Sequence, residues 1–144
     1  MSILNIIKST PLFYELYDEE IEAIVAQCRV MNVMEGDKIV EEGEEGDELF
    51  ILLVGEAHVE RRGCRLATIH KGELFGEMVL MNERVRLADI VATKVSDVLV
   101  VNYQDIFKFF KDDPKIFSIL ILNLSRMLAK RLKNAGSDIG ELHL

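Results

Sequence analysis

The hydrophobic period of the chain changes twice, and this change constrains the fold more than any other feature. Between about residues 30 and 101, apolar and polar side chains alternate in short runs, whereas the flanking segments repeat apolar residues every three to four positions. A period of two predicts strands of a half-buried sheet, and a period near 3.6 predicts amphipathic helices. The predicted strands are 30–34, 38–41, 49–54, 56–61, 65–69, 88–93 and 97–101.

Glycine-containing turns separate these predicted strands. Such turns supply positive φ angles or close backbone approach between short strands. Short strands at close, regular intervals, with no long helix between them, predict an antiparallel sandwich or barrel. The turn glycines are Gly36, Gly43, Gly46, Gly55, Gly63 and Gly72.

Two helical segments precede the strands. The first is predicted over 3–8 and stops before Pro11, which begins a bend with apolar anchors. Asp18 is then the predicted N-cap of a second helix that runs to about Arg29, with acidic residues in its first turn.

Two further helices follow the strands. A short amphipathic helix is predicted over 103–110, and Pro114 suits the first turn of a long helix over about 115–133. The sequence 134–136, Asn-Ala-Gly, is predicted to end this helix. We expect residues 1–136 to form one domain and 137–144 to form a flexible tail.

Composition narrows the class of protein. The chain has 144 residues, of which 49% are hydrophobic and 29% charged, so it can bury a real core. Its net charge of −8 argues against a nucleic-acid-binding face and against docking on anionic lipid. Cys28 and Cys64 are too few for a disulfide framework, and we expect two reduced thiols in a cytoplasmic protein. No apolar run reaches transmembrane length.

The segment 74–89 has the composition of an anion-binding site. Gly76 lets backbone N–H groups approach a ligand closely, because it has no Cβ. The residues after it are numerous enough for one or two helical turns, whose first N–H groups lack internal partners. Arg86 supplies a guanidinium suited to phosphate, and Glu77 supplies an acceptor suited to a sugar hydroxyl.

Phe75-Gly76-Glu77 followed by Arg86-Leu87-Ala88 resembles the phosphate-binding cassette of cyclic-nucleotide-binding domains. This is the family of the catabolite activator protein and the regulatory subunits of cAMP-dependent protein kinase. The resemblance covers roughly residues 3 to 133 and implies an α+β fold, an antiparallel β-roll (jelly roll) flanked by helices. It also implies that the glutamate binds the ribose 2′-hydroxyl and the arginine the cyclic phosphate. The ligand-binding residues implied are Phe75, Gly76, Glu77, Met78, Arg86, Leu87, Ala88 and Asp89.

Three positions leave alternatives open. Arg84 shares a face with Arg86 in an extended chain and is a rival for the phosphate. Leu87 stands where many members of the family carry a small residue. Asp89 would repel a cyclic phosphate, or it would match the two N–H donors of guanine and so favour cGMP over cAMP.

The resemblance implies a ligand sensor. The sequence shows no nucleophile–base pair, metal cluster or nucleotide-triphosphate loop, so we expect no catalytic activity and no cofactor. Ligand binding would move the C-terminal helices, and the apolar 115–133 helix would pair in a homodimer or only close the pocket. The chain ends too soon after this helix for a helix-turn-helix domain, so we expect either an isolated sensor module that acts on an effector protein in trans or a fragment. The alternative is a domain of the same fold that binds no nucleotide and serves protein interaction, with Arg86 neutralised by Asp89 or Glu77. A cupin-type metal site is disfavoured, since His58 and His70 alone are too few ligands.

Overall fold

The structure is a computed structural model that describes residues 2–139, with side chains described as far as residue 135. Helices flank a β-roll made of two four-stranded antiparallel sheets. The helices are α1 (Ile3–Lys8), α2 (Asp18–Val25), α3 (Tyr103–Asp112) and α4 (Pro114–Ile139), and 3₁₀ turns span Pro11–Phe13 and Glu77–Met81. The strands are β1 (Arg29–Val33), β2 (Lys38–Val40), β3 (Glu48–Val54), β4 (Ala57–Arg61), β5 (Cys64–Ile69), β6 (Leu74–Phe75), β7 (Asp89–Ala92) and β8 (Ser96–Asn102).

The two sheets have the strand orders β1-β8-β3-β6 and β2-β7-β4-β5. In the first sheet β3 pairs with β8 along most of its length, with Phe50 opposite Val100 and Leu52 opposite Val98. In the second sheet β4 pairs with both β5 and β7. The expected α+β fold, an antiparallel β-roll with flanking helices, is therefore confirmed.

The central strands β3 and β8 of the first sheet are buried on both faces, which explains the uninterrupted apolar run of β3. Alternate residues of this strand belong to two separate core clusters, since successive side chains point to opposite faces. Leu49, Ile51 and Leu53 pack with apolar residues of the helices. Phe50 and Leu52 pack between the two sheets. The roll thus holds the helices on one side and keeps an interior on the other.

Asn123 fixes α4 to the N-terminal part of the chain. Its side chain is buried, and its amide nitrogen donates to the carbonyl oxygens of Leu12 and Tyr14, each at 2.8 Å. A buried amide group requires such partners, because an unpaired polar group inside the protein is costly. The C-terminal half of α4 then extends beside the roll.

Several element boundaries differ from the sequence-based expectations. The N-cap of α2 is Tyr17, whose N–H donates to Glu20 Oε1 at 2.8 Å, and α2 ends at Val25 because β1 already begins at Arg29. Strand β6 was not predicted, since it has only two residues. Helix α4 does not end at residues 134–136 but continues to Ile139. The predicted tail is thus helical over 137–139, and its remainder lies outside the described residues.

None of the helices within residues 2–139 combines the length and the apolar character needed to cross a membrane.

Candidate functional site

A cavity of about 350 Å³ opens between the second sheet, the segment 75–88 and the C-terminal half of α4. This volume is in the range of sites for small organic ligands. Apolar side chains of β2, β4, β5 and β7 form one wall, and charged side chains stand opposite. The lining residues are Val40, Val59, Ala67, Thr68, Ile69, Glu73, Phe75, Gly76, Glu77, Met78, Glu83, Val85, Arg86, Leu87, Ala88, Ile90, Arg131, Asn134 and Ala135.

Gly76 forms the sharp turn that joins β6 to the 3₁₀ turn Glu77–Met81. Its φ of 77° lies in the left-handed region. A Cβ at this position would also lie 2.9 Å from the Phe50 ring and 3.1 Å from the carbonyl oxygen of Glu48. Both the backbone angle and the close packing therefore require glycine here.

The backbone of Arg86 is held by the loop that contains Gly43 and Glu44. Its N–H donates to the carbonyl oxygen of Glu44 at 2.8 Å, and the N–H of Gly43 donates to the carbonyl oxygen of Arg86 at 2.9 Å. These two hydrogen bonds fix the position from which the Arg86 side chain enters the cavity.

The guanidinium of Arg86 is held by backbone oxygens and by an aromatic ring. Nη2 donates to the carbonyl oxygen of Glu48 at 3.0 Å, and Nη1 donates more weakly to that of Gly76 at 3.4 Å. Its Cζ lies 5.5 Å from the centre of the Phe50 ring, which stacks on Phe75 at 5.0 Å. The cation is thus positioned beside the cavity by the backbone of Glu48 and Gly76 and by the Phe50 ring.

No carboxylate of the described residues lies within 4 Å of the Arg86 guanidinium. Burial lowers the pKa of Arg86, while the more distant carboxylates of Glu48, Asp47 and Glu44 raise it. Arginine stays protonated in proteins, so the side chain remains a half-buried cation whose partners are neutral. Such an arrangement favours an anionic ligand.

Arg84 has a different environment from Arg86. Its Nε and Nη2 donate to the two carboxylate oxygens of Asp47 at 2.7 and 3.2 Å, and its side chain is 57% exposed. Arg84 does not line the cavity. Of the two arginines left open by the sequence, only Arg86 lines the cavity.

Glu77 forms an ion pair with Arg131 of α4. Both side chains are partly buried and both line the cavity. No local sequence pattern indicates this partner, because the two residues are far apart in the chain. The basic residues at 130–133 also have a sufficient explanation in the helix dipole. This ion pair connects the cassette to the long C-terminal helix.

Asp89 is the one predicted site residue that does not line the cavity. Its carboxylate accepts a hydrogen bond from the N–H of Glu42 at 2.7 Å and lies 3.3 Å from Lys38 Nζ. The hydrogen bond from Glu42 and the charge of Lys38 lower the pKa of Asp89. Since the side chain points to the end of β2, its placement supports neither repulsion of a phosphate nor recognition of guanine.

The other predicted site residues do meet at the cavity. Phe75, Met78, Leu87 and Ala88 line it together with Gly76, Glu77 and Arg86. Leu87 is 48% exposed and provides no hydroxyl to a ligand. Among the residues that the structure describes, no three histidine, cysteine or acidic side chains come together as a metal site.

Comparison with known proteins agrees with this geometry. The profile of the cyclic nucleotide-binding domain family matches residues 30–113, which is more than half of the chain. The chain belongs to the cyclic nucleotide-binding domain family.

Relatives of this chain include proteins of several kinds. The chain is 35% identical over 132 residues to Glutaminase 1 of Bradyrhizobium diazoefficiens, an alignment covering 90% of this chain and 21% of that protein. It is 28% identical to the Cyclic AMP receptor protein of Thermus thermophilus over 92% of this chain and 62% of the receptor. The chain therefore spans less than two thirds of the length of these relatives.

The solved structure of a cyclic nucleotide-binding domain from Methylobacillus flagellatus has the same fold. Its TM-score is 0.81 at 23% identity, and the superposition covers 99% of this chain and 83% of that one.

Proposed function

We propose that this domain binds a purine cyclic nucleotide, cAMP or cGMP, as a regulatory signal. The observation that carries the proposal is the half-buried Arg86, which faces the cavity without an acidic partner among the described side chains. A cyclic phosphate would provide the missing charge and accept two N–H bonds from the guanidinium. The name of the Thermus relative supports a cyclic nucleotide as the ligand.

The rest of the cavity suits the other parts of such a ligand. Glu77 lines the same cavity as Arg86 and would accept the ribose 2′-hydroxyl. The apolar side chains of Val59, Ile69 and Ile90 offer a surface for the purine ring. Because Asp89 lies outside this lining, the preference between adenine and guanine has to come from other groups.

The alternative function, protein interaction without a ligand, requires Arg86 to be neutralised inside the protein. The two candidate carboxylates are engaged elsewhere, since Asp89 binds Lys38 and Glu77 binds Arg131. This arrangement favours the ligand-binding function.

Helix α4 is the element through which ligand binding would be transmitted. Arg131, Asn134 and Ala135 contribute to the cavity from this helix. A ribose on Glu77 would compete with Arg131, and the purine would meet the same part of α4. The ligand would shift the population of helix positions only as far as its affinity differs between them.

A stripe of small and apolar side chains on α4 supports a homodimer. Leu122, Ser125, Ala129 and Leu132 are all exposed and recur at intervals of three and four residues, so they share one face of the helix. Pairing of two copies along this face would bury the leucines, as in a coiled coil. We place this dimer in the cytoplasm, where it would act on an effector in trans without catalysis, DNA binding or membrane binding of its own.

The binding proposal is tested by titration calorimetry with cAMP and with cGMP. We expect saturable binding of at least one of them, and a loss of tenfold or more in affinity for Arg86→Gln, since a charged hydrogen bond contributes roughly 1.5–3 kcal/mol. Arg84→Gln removes the same charge outside the cavity and should bind like the parent chain. Absence of binding by the parent chain, or equal losses in both variants, would overturn the proposal.

A further inference from the structure

A second and larger cavity, of about 580 Å³, shares Arg131 with the first cavity. It is bounded by the first 3₁₀ turn, by the turn between β5 and β6, and by α4 from residue 123 to 134. We name it the basic crevice. Its lining residues are Pro11, Tyr14, His70, Lys71, Gly72, Glu73, Leu74, Asn123, Arg126, Met127, Lys130, Arg131 and Asn134.

The charge of the basic crevice is opposite to that of the protein. Four cationic side chains line it, Lys71, Arg126, Lys130 and Arg131, against the single carboxylate of Glu73. The whole chain carries a net charge of −8. Because Glu15 pairs with Arg126 and Glu77 pairs with Arg131, the positive potential that attracts anions comes mainly from Lys71 and Lys130.

Two of these cations have no internal partner within the described part of the chain. Lys71 and Lys130 form no ion pair there, whereas Arg126 pairs with Glu15 at 3.3 Å and Arg131 pairs with Glu77. The lysines come from different elements, the β5–β6 turn and α4, and meet at the same cavity. A ligand with more than one anionic group could therefore contact both.

Part of the crevice surface is apolar. Leu74 is buried and Met127 is half-buried, and Pro11 and Tyr14 complete this side. The volume is within the range of small-molecule sites and too small for a folded partner. We propose that the basic crevice is a second ligand site, which takes a small organic anion with two or more phosphate or carboxylate groups.

The two cavities share a wall that consists of Glu73, Arg131 and Asn134. An anion in the basic crevice competes with Glu77 for the guanidinium of Arg131. Movement of Arg131 toward the crevice releases the Glu77 carboxylate for a ribose hydroxyl. This step rests on the proposed function. It predicts that an anion in the basic crevice strengthens nucleotide binding. The nucleotide then strengthens anion binding by the same factor, because coupling between two sites is reciprocal.

The site itself is tested without any nucleotide, by calorimetric titration of the full chain with inorganic pyrophosphate at low ionic strength. We expect saturable binding that Lys71→Glu combined with Lys130→Glu weakens at least tenfold. Lys94→Glu combined with Lys111→Glu gives the same net charge at exposed positions outside the crevice, and it should weaken binding much less. Equal losses in both double variants would overturn the proposal. Binding that Arg86→Gln abolishes would place pyrophosphate in the first cavity and would overturn it as well.

The coupling is tested by titrating cAMP and cGMP with and without saturating pyrophosphate. We expect a higher nucleotide affinity with pyrophosphate in the parent chain and no increase in the Lys71→Glu, Lys130→Glu double variant. A lower affinity would show competition at Arg86 and would contradict the coupling. If pyrophosphate binds at the crevice but neither nucleotide binds at all, the second site stands and the proposed function fails.

Discussion

The carbonyl oxygen of Glu48 accepts a hydrogen bond of 3.0 Å from Arg86 Nη2. The acceptor is the first residue of β3, one of the two central strands of its sheet, and the donor belongs to the cassette, so the bond fixes the guanidinium relative to the roll. It stabilises the orientation of the cation without neutralising its charge. The charge remains available to a ligand.

Gly46→Ala should weaken cyclic-nucleotide binding through Arg86. A Cβ at this position would lie 2.6 Å from Arg86 Nη2, so the guanidinium has to move. The contact involves the end of a flexible side chain, so we expect little change in melting temperature. The affinity should fall roughly tenfold, because the displaced guanidinium loses part of a charged hydrogen bond to the ligand. Calorimetric titration measures the affinity. Unchanged binding would show that the position of Arg86 is not critical.

The two cysteines should differ in reactivity. Burial, together with the nearby charge of Asp105, raises the pKa of Cys28 to about 12, whereas Cys64 is exposed. Because the thiolate is the reactive form, alkylation of the native protein at neutral pH should modify Cys64 and spare Cys28. Mass spectrometry of the digested protein measures this, and the unfolded chain, in which both thiols should react, is the control. Rapid modification of Cys28 in the native protein would contradict its burial.

Asp89→Asn should lower stability at neutral pH and have no effect in acid. The pKa of Asp89 is lower in the folded protein than in the unfolded chain, so the unfolded chain binds the proton more tightly. The stabilisation by the ionised carboxylate is therefore present at neutral pH and is lost as pH falls through the pKa of the folded state. We expect a lower melting temperature than the parent chain at pH 7, and the difference should shrink as pH falls below the ordinary pKa range of an aspartate carboxyl. Glu35→Gln, at an exposed turn position, is the control. A difference that persists in acid would point to lost packing instead.

Leu122→Glu should dissociate the proposed homodimer. The side chain is 45% exposed on the stripe of α4, and a carboxylate there would face its own copy across the helix pair. Sedimentation velocity should find a dimer for the parent chain and a monomer for the variant. Val95→Glu places the same charge at a 62% exposed position between β7 and β8 and should remain dimeric. A parent chain that is monomeric at high concentration would exclude this interface.

The sequence predicted the fold class because local pattern and tertiary structure agree across most of the chain. The change of hydrophobic period located the roll, and the glycine turns separated its strands to within a residue or two. The prediction failed where the local signal was weak. A two-residue strand such as β6 has no period to detect, and Gly136 did not end α4 because one glycine costs a helix only about 1 kcal/mol.

The sequence predicted the cassette but not the directions of its side chains. Arg84 and Arg86 have the same local pattern, and only the positions of Asp47 and Glu48 distinguish the paired guanidinium from the one that faces the cavity. Asp89 follows the arginine closely in sequence, yet it points to Lys38. Arg131 reaches Glu77 from a distant helix, a contact that depends on how α4 packs against the roll.

The most direct test of ligand binding is the melting temperature with cAMP, with cGMP and with neither. A ligand at about 100 times its dissociation constant stabilises the folded state by roughly 2.7 kcal/mol, which is a rise on the order of 5–10 °C for a domain of this size. We predict such a rise for at least one nucleotide and its loss in Arg86→Glu. No rise with either nucleotide at millimolar concentration, or a rise that persists in Arg86→Glu, would contradict the account.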